Sequence, residues 1–232
     1  MLDLQRFEVL TFDCYGTLID WEAGILAALR PLLETHGVRP ADEDILGLFG
    51  AIESDVQAGA FLPYAEVLRR VLERMAGRLG VALRGEERDA LVESVGRWPP
   101  FPDTADALAA LKRRYRLVVV SNVDDDLFAC TAPHLGVEMD HVITALQVRS
   151  YKPAPAHWQR MLERTGATKD RVLHVAQSLF HDIAPARALG FGTVWVNRRA
   201  GRAGSGATPP SAARPDLEVP DLATLARLAT SV

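Results

Sequence analysis

Hydrophobic positions along the chain alternate between two rhythms. Residues 8–12 (Glu-Val-Leu-Thr-Phe) form a short apolar run of β-formers that stops at Asp13-Cys14-Tyr15-Gly16-Thr17. The pattern predicts a buried parallel strand ending in a glycine-containing loop. From residue 21 to 36 the spacing turns helical: Ile25, Leu26, Leu29, Leu32 and Leu33 share a stripe, and Gly37 supplies the stop. Residues 41–91 read as helix in at least three pieces, with Asp42 or Asp44 as the first cap and Gly59 and Pro63 as breaks. Leu62, Val67, Leu68, Val71, Leu72 and Met75 give this stretch an apolar face.

Beyond the stiff segment Trp98-Pro99-Pro100-Phe101-Pro102, strands and helices take turns. Strands are predicted over 116–120, 141–144, 172–175 and 193–196, and helices over 103–114, 124–135, 156–165 and 183–189. Residues 200–214 are poor in bulky apolar groups and read as a flexible loop; a short strand and a helix follow within 217–228. Alternation of this kind predicts an α/β fold with a doubly wound, Rossmann-like parallel sheet. The all-helical stretch predicts an inserted cap over residues 20–98, with 1–19 and 99–232 forming the core. Polar residues stand at the expected strand ends, where such sheets place their sites: Asp13, Ser121, Lys152 and Asp182.

Composition narrows the function. The 232 residues carry 26 Lys and Arg against 30 Asp and Glu, a net charge of −4, which disfavours a protein built to grip nucleic acid. Cys14 and Cys130 are too few for a disulfide framework, so a reducing, cytoplasmic setting is expected. The first residues do not read as a signal peptide, and no apolar run of about 18 residues suggests a membrane span. The expected partner is a small molecule rather than nucleic acid or membrane, with a homodimer as the commonest assembly.

Four markers follow four predicted strands in order: Phe12-Asp13-Cys14-Tyr15-Gly16-Thr17, Val120-Ser121-Asn122, Tyr151-Lys152-Pro153 and Gln177-Ser178-Leu179-Phe180-His181-Asp182. Their order and spacing resemble the haloacid dehalogenase superfamily over essentially the whole chain. Tyr15 stands where the phosphatases of that superfamily carry an acid/base aspartate, so the motif looks like the type II, L-2-haloacid branch. The resemblance implies that Asp13 attacks a halogen-bearing carbon, halide leaves, and water hydrolyses the aspartyl ester. A strand-tip carboxylate suits covalent catalysis, because it splits a hard displacement into two easier steps. Lys152 would balance its charge, and Ser121 and Asn122 would hold the substrate's anionic end or the departing group. Asp182, with Gln177 and Ser178, would position water, and Thr17 completes the catalytic set.

Tyr15, Phe49, Trp158 and His181 are the remaining candidate substrate contacts. His181 could activate water or simply pack in its loop, while Phe61 and Tyr64 read as cap packing or, alternatively, as part of a substrate cage. The acidic run at residues 124–126 reads as a helix start favoured by the dipole. Cys14 should point away from the site. In the branch a cap arginine binds the substrate carboxylate, but Leu48-Phe49-Gly50 stand there, and no arginine lies between Arg39 and Arg69. No cofactor is expected. Two alternatives stay open: a magnesium-dependent phosphatase using Asp13 and Asp182 as ligands, and a binding protein that keeps the fold without the chemistry.

Overall fold

The computed structural model describes residues 2–202, 204 and 206–230. Six strands form one parallel sheet: β1 (Val9–Phe12), β2 (Arg116–Ser121), β3 (His141–Thr144), β4 (Val172–Ala176), β5 (Gly192–Val196) and β6 (Leu217–Val219), in the order β3-β2-β1-β4-β5-β6. β1 lies between β2 and β4, so the chain winds outward to either side of it. That reversal opens a crevice at the carboxyl end of β1. All four β1 side chains are buried, as a strand covered on both faces requires.

Among the described residues ten α-helices accompany the sheet: α1 (Trp21–Thr35), α2 (Asp42–Gln57), α3 (Tyr64–Leu79), α4 (Ala90–Ser94), α5 (Thr104–Lys112), α6 (Asp125–Thr131), α7 (Ala145–Val148), α8 (Ala156–Thr165), α9 (Ala184–Ala188) and α10 (Leu222–Thr230). The stretch between β1 and α5 contains helices and no strand. No helix is long and apolar enough to cross a membrane among the described residues.

Three local expectations change. α2 begins without a side-chain cap; Ala41 precedes it, and Asp42 and Asp44 lie inside its first turn. Asp124 does more than begin α6. Its two carboxylate oxygens accept the Tyr64 and Ala65 amides at 2.8 and 2.9 Å and so close the amino end of α3, which has no cap of its own. The partners are 60 residues apart, beyond any local pattern. The loop after β5 is also anchored. Ala207 is fully buried, its amide donates to Glu22, and Thr208 donates to the Gln177 side-chain oxygen at 3.2 Å. A side chain at Gly50 would run into the Ala207 carbonyl, so α2 can sit under this loop only because residue 50 is glycine. Residues 203 and 205 of the expected flexible stretch lie outside the described residues.

Candidate active site

The loop leaving β1 is wound tightly. The amides of Thr17, Leu18 and Ile19 all converge on the Cys14 carbonyl, at 3.2, 2.7 and 3.0 Å. Gly16 turns the chain at a φ of +92°, a left-handed value that favours glycine. This leaves Asp13 at the strand tip. Thr17 then bridges two strand ends: its hydroxyl donates to Asp13 Oδ2 at 2.8 Å and accepts the Gln177 amide at 2.9 Å.

Lys152 reaches the same point from the loop after α7. Its ammonium donates to Asp13 Oδ1 at 2.8 Å, to Asp182 Oδ1 at 2.6 Å and to the Val120 carbonyl at 2.9 Å. All three donors of this buried cation are used, which is what its burial demands. Asn122 fixes the segment. Its amide oxygen accepts the Lys152 N–H at 2.8 Å and its amide nitrogen donates to the Lys152 carbonyl at 3.2 Å. Asn122 therefore braces the lysine, whereas the Ser121 hydroxyl, 1% exposed as a residue, has no hydrogen-bond partner among the described residues and lines the cavity.

The two carboxylates that share Lys152 are not equivalent. The Asp13 side chain is 10% exposed and the Asp182 side chain 1%. Asp182 is pinned from behind by His174, whose Nε2 lies 3.0 Å from Oδ1 while its Nδ1 lies 2.8 Å from the Thr11 hydroxyl. Burial alone would raise both carboxyls. For Asp182, Lys152 and the His174 hydrogen bond overcome it and hold the group down at about 2. For Asp13, burial prevails with help from the Asp182 charge, against the pull of Lys152 and Thr17, and the carboxyl is raised above its ordinary value. Cys14 is fully buried, outside the cavity lining, and burial pushes its thiol well up.

A small cavity of about 40 Å³ lies over Asp13. Ser121, Asn122, Lys152, Gln177, Ser178, His181 and Asp182 line it from the strand ends, with Tyr15 beside them. Tyr15 OH lies 2.8 Å from the Thr131 hydroxyl, and burial raises its phenol well above the usual value. His181 belongs to a single wide π-turn, Leu179–Ile183, of the sort that often re-aims side chains at sites. Its amide donates to Ser178 Oγ at 2.9 Å, and burial lowers its imidazole to about 4, so the ring is neutral at neutral pH.

Two expected substrate contacts are displaced. Phe49 is buried edge-on against Trp21, with ring centroids 5.8 Å apart, and it is Trp21 that faces the cavity. Trp158 packs edge-on against His174 at 5.6 Å, within a separate apolar cluster away from the cavity. Thr17 acts through Asp13 and is not itself a lining residue.

The opposite wall was foreseen only at Tyr64. Glu53 and Gln57 of α2, Tyr64 of α3 and Thr208 complete the lining. Glu53 is 3% exposed and accepts the Tyr64 hydroxyl at 2.6 Å. Burial, together with the Asp13 charge, raises its carboxyl to about 7 against the pull of Tyr64. Its sequence signal is faint but present: a carboxylate on the stripe formed by Ile45, Phe49, Ile52 and Val56. His174 carries a similar signal, as a polar residue in the buried strand β4.

A magnesium ion at Asp13 and Asp182 would have to share both carboxylates with Lys152. The Lys152 ammonium hydrogen-bonds to both Asp13 and Asp182, the carboxylates the sequence offered as ligands. Among the described residues no group of three or more His, Cys, Asp and Glu side chains is arranged to hold a metal ion.

A family model described as haloacid dehalogenase-like hydrolase matches residues 7–190. The chain belongs to that family. Among curated relatives of this hydrolase, (S)-2-haloacid dehalogenase 4A of Burkholderia cepacia is 30% identical over 205 residues, covering 86% of each chain. Haloacetate dehalogenase H-2 of Moraxella sp. (strain B) is 25% identical over 201 residues, covering 84% of this chain and 88% of that protein. The solved structure of L-2-haloacid dehalogenase from Xanthobacter autotrophicus superimposes with a TM-score of 0.81 at 23% identity, covering 97% and 99% of the two chains. At that identity the likeness is one of fold, and it places the six-stranded sheet and its helices in the haloacid dehalogenase architecture.

Proposed function

We propose that this hydrolase cleaves the carbon–halogen bond of a small organohalide through an ester on Asp13. The observation that carries the reading is the asymmetry of the two carboxylates around Lys152. Asp13, at the tip of the central strand, opens toward the cavity, while Asp182 is held behind the lysine by His174. The relatives bear names that assign them to haloacetate and 2-haloacids. A cavity of about 40 Å³ holds roughly three waters at ~10–15 Å³ each, which suits a reactant of two or three carbons.

In this account Asp13 attacks carbon from the face opposite the halogen. Lys152 balances the carboxylate charge, and Thr17 fixes the carboxylate plane. Halide is a good leaving group and needs no proton, so the absence of an acid at Tyr15 is no handicap. Ser121, a buried hydroxyl with a proton to give, stabilises negative charge in the cavity. Water approaching the ester carbonyl meets Gln177, Ser178 and the neutral His181, which can accept its proton. The helices over the strand ends limit access of bulk water.

No step calls for a metal ion. Halide release should survive EDTA unchanged and gain nothing from added magnesium. Asp13→Ala should lower it by at least ~10³-fold, as loss of a covalent nucleophile does. Ion-chromatographic assay of halide reads both effects. Metal-dependent turnover, or turnover retained by Asp13→Ala, would contradict the reading.

A further inference from the structure

The charge of the cavity walls constrains the part of the substrate that does not react. Among the described lining residues Lys152 is the only Lys or Arg, and its three N–H donors are all taken, two of them by carboxylates. Asp13, Asp182 and Glu53 outnumber it in the same lining. The arginines of α3 that might have compensated point elsewhere: Arg69 pairs with Asp89, Arg70 with Glu66 and Arg74 with Asp55, each on a half-exposed surface. Arg198 and Arg199 do not line the cavity; they engage Asp103, and Glu22 with Glu43. A substrate carboxylate would therefore enter a small, largely buried site with no free cation among the described lining residues to meet it and, above about pH 7, with an ionised Glu53 facing it, an arrangement that disfavours anions.

The same wall offers hydrogen bonds. Glu53 and Gln57 stand one turn apart on α2 and both reach the cavity. The Tyr64 hydroxyl fixes Glu53 by donating to Oε1. Across the cavity, the Ser121 hydroxyl is buried without a partner among the described residues.

We propose that the substrate is an uncharged organohalide, of the 2-haloamide class, whose far end donates a hydrogen bond to Glu53 rather than presenting a carboxylate. The proposal rests on the carbon–halogen reading above. Its chemistry is balanced. An Asp13 oxygen bonds to the carbon as the carbon–halogen bond breaks, and halide leaves with the bonding pair. Water then adds to the ester carbonyl, the ester C–O bond breaks, and the hydroxyamide leaves, with one proton released overall. The amide carbonyl keeps the neighbouring carbon activated for displacement, as a carboxylate would, and its N–H supplies the donor.

The test compares 2-chloroacetamide with chloroacetate at matched concentration and at about pH 8.5, where Glu53 is ionised, with halide as the readout. A Cys130→Ser background removes alkylation of the exposed thiol. Preference for the amide by ~10-fold or more in kcat/KM is expected, the scale of like-charge repulsion in a partly dry site. In Glu53→Gln that preference should shrink by ~10-fold, because the repelling charge is gone while the hydrogen-bonding shape remains. Preference for chloroacetate would overturn the neutral-substrate proposal and leave the carbon–halogen reading standing. An undiminished amide preference in a folded Glu53→Gln variant would remove Glu53 from the argument and overturn the proposal as well. Halide from neither compound, with the protein shown folded, would overturn the carbon–halogen reading and the proposal together.

Discussion

Lys152→Met should cost this protein both stability and turnover. The side chain is 1% exposed and hydrogen-bonds to two carboxylates that would otherwise face each other in a dry site. Methionine keeps the length and removes the charge. Asp13 and Asp182 would then lose the cation they share, and one must take up a proton or admit water. Breaking a buried ion pair by deleting one partner costs about 3–5 kcal/mol, because the remaining charge is left uncompensated. Turnover should fall by ~10²–10³-fold as the charge beside Asp13 is lost. Urea unfolding at neutral pH reads the stability. Adding Asp182→Asn to Lys152→Met removes one of the stranded charges, so the double variant should recover part of the stability and none of the activity. Wild-type unfolding in Lys152→Met would show that the lysine is not what holds the two carboxylates together.

Glu53→Gln should stabilise the protein, and only at the higher pH values. The unfolded carboxyl titrates near 4.5 and the folded one at about 7. Between those values the folded state binds the extra proton, so the contribution of Glu53 to stability falls as pH rises through the window and is flat above it. A gap of that size corresponds to about 3 kcal/mol. Asp13 opposes ionisation of Glu53 from the end of β1. The Tyr64 hydroxyl favours it from α3, and Tyr151 packs within electrostatic reach. Buried His157 and His181, lowered to about 3 and about 4, tilt the wild-type curve the other way over the same range. Their effect cancels in the difference between variant and wild type. Denaturation of both proteins at about pH 4, 6 and 8 should give near-equal stabilities at the lowest pH and a growing advantage for Glu53→Gln toward the highest. A difference independent of pH would mean that Glu53 is not neutralised by the fold.

Legibility of the sequence followed the range of each interaction. The run at residues 8–12 and the period-3.6 stripe after it are local signals, so β1 and α1 lie where the pattern put them, and 141–144 and 156–165 match β3 and α8 to the residue. Asp13 and Ser121 were visible because they stand at strand ends, and Lys152 and Asp182 because their motifs follow β3 and β4. A parallel sheet with a central strand brings such ends together whatever the intervening chain does. Contacts made across the chain were not visible. Phe49 and Trp158 carry the right chemistry for a pocket wall, but α2 turns Phe49 behind Trp21, and α8 places Trp158 against His174. Glu53, Thr208 and the Asp124 clamp on α3 depend on how α2, α3 and the loop after β5 meet the sheet, and no spacing within one element encodes that. The loop at residues 200–214 looked free because its composition is poor in large apolar groups. Buried Ala207 anchors it through backbone contact, which composition does not register.

The ester on Asp13 is the centre of the account, and oxygen-18 water tests it most directly. Enzyme in excess over 2-chloroacetamide, and separately over chloroacetate, would be taken through a single turnover in labelled water and read by mass spectrometry of both protein and product. The account predicts one oxygen-18 in the peptide carrying Asp13 and an unlabelled hydroxyl in the product, because water attacks the ester carbonyl rather than the substrate carbon. Label in the product hydroxyl with none in Asp13 would contradict it, since water would then have displaced the halide directly.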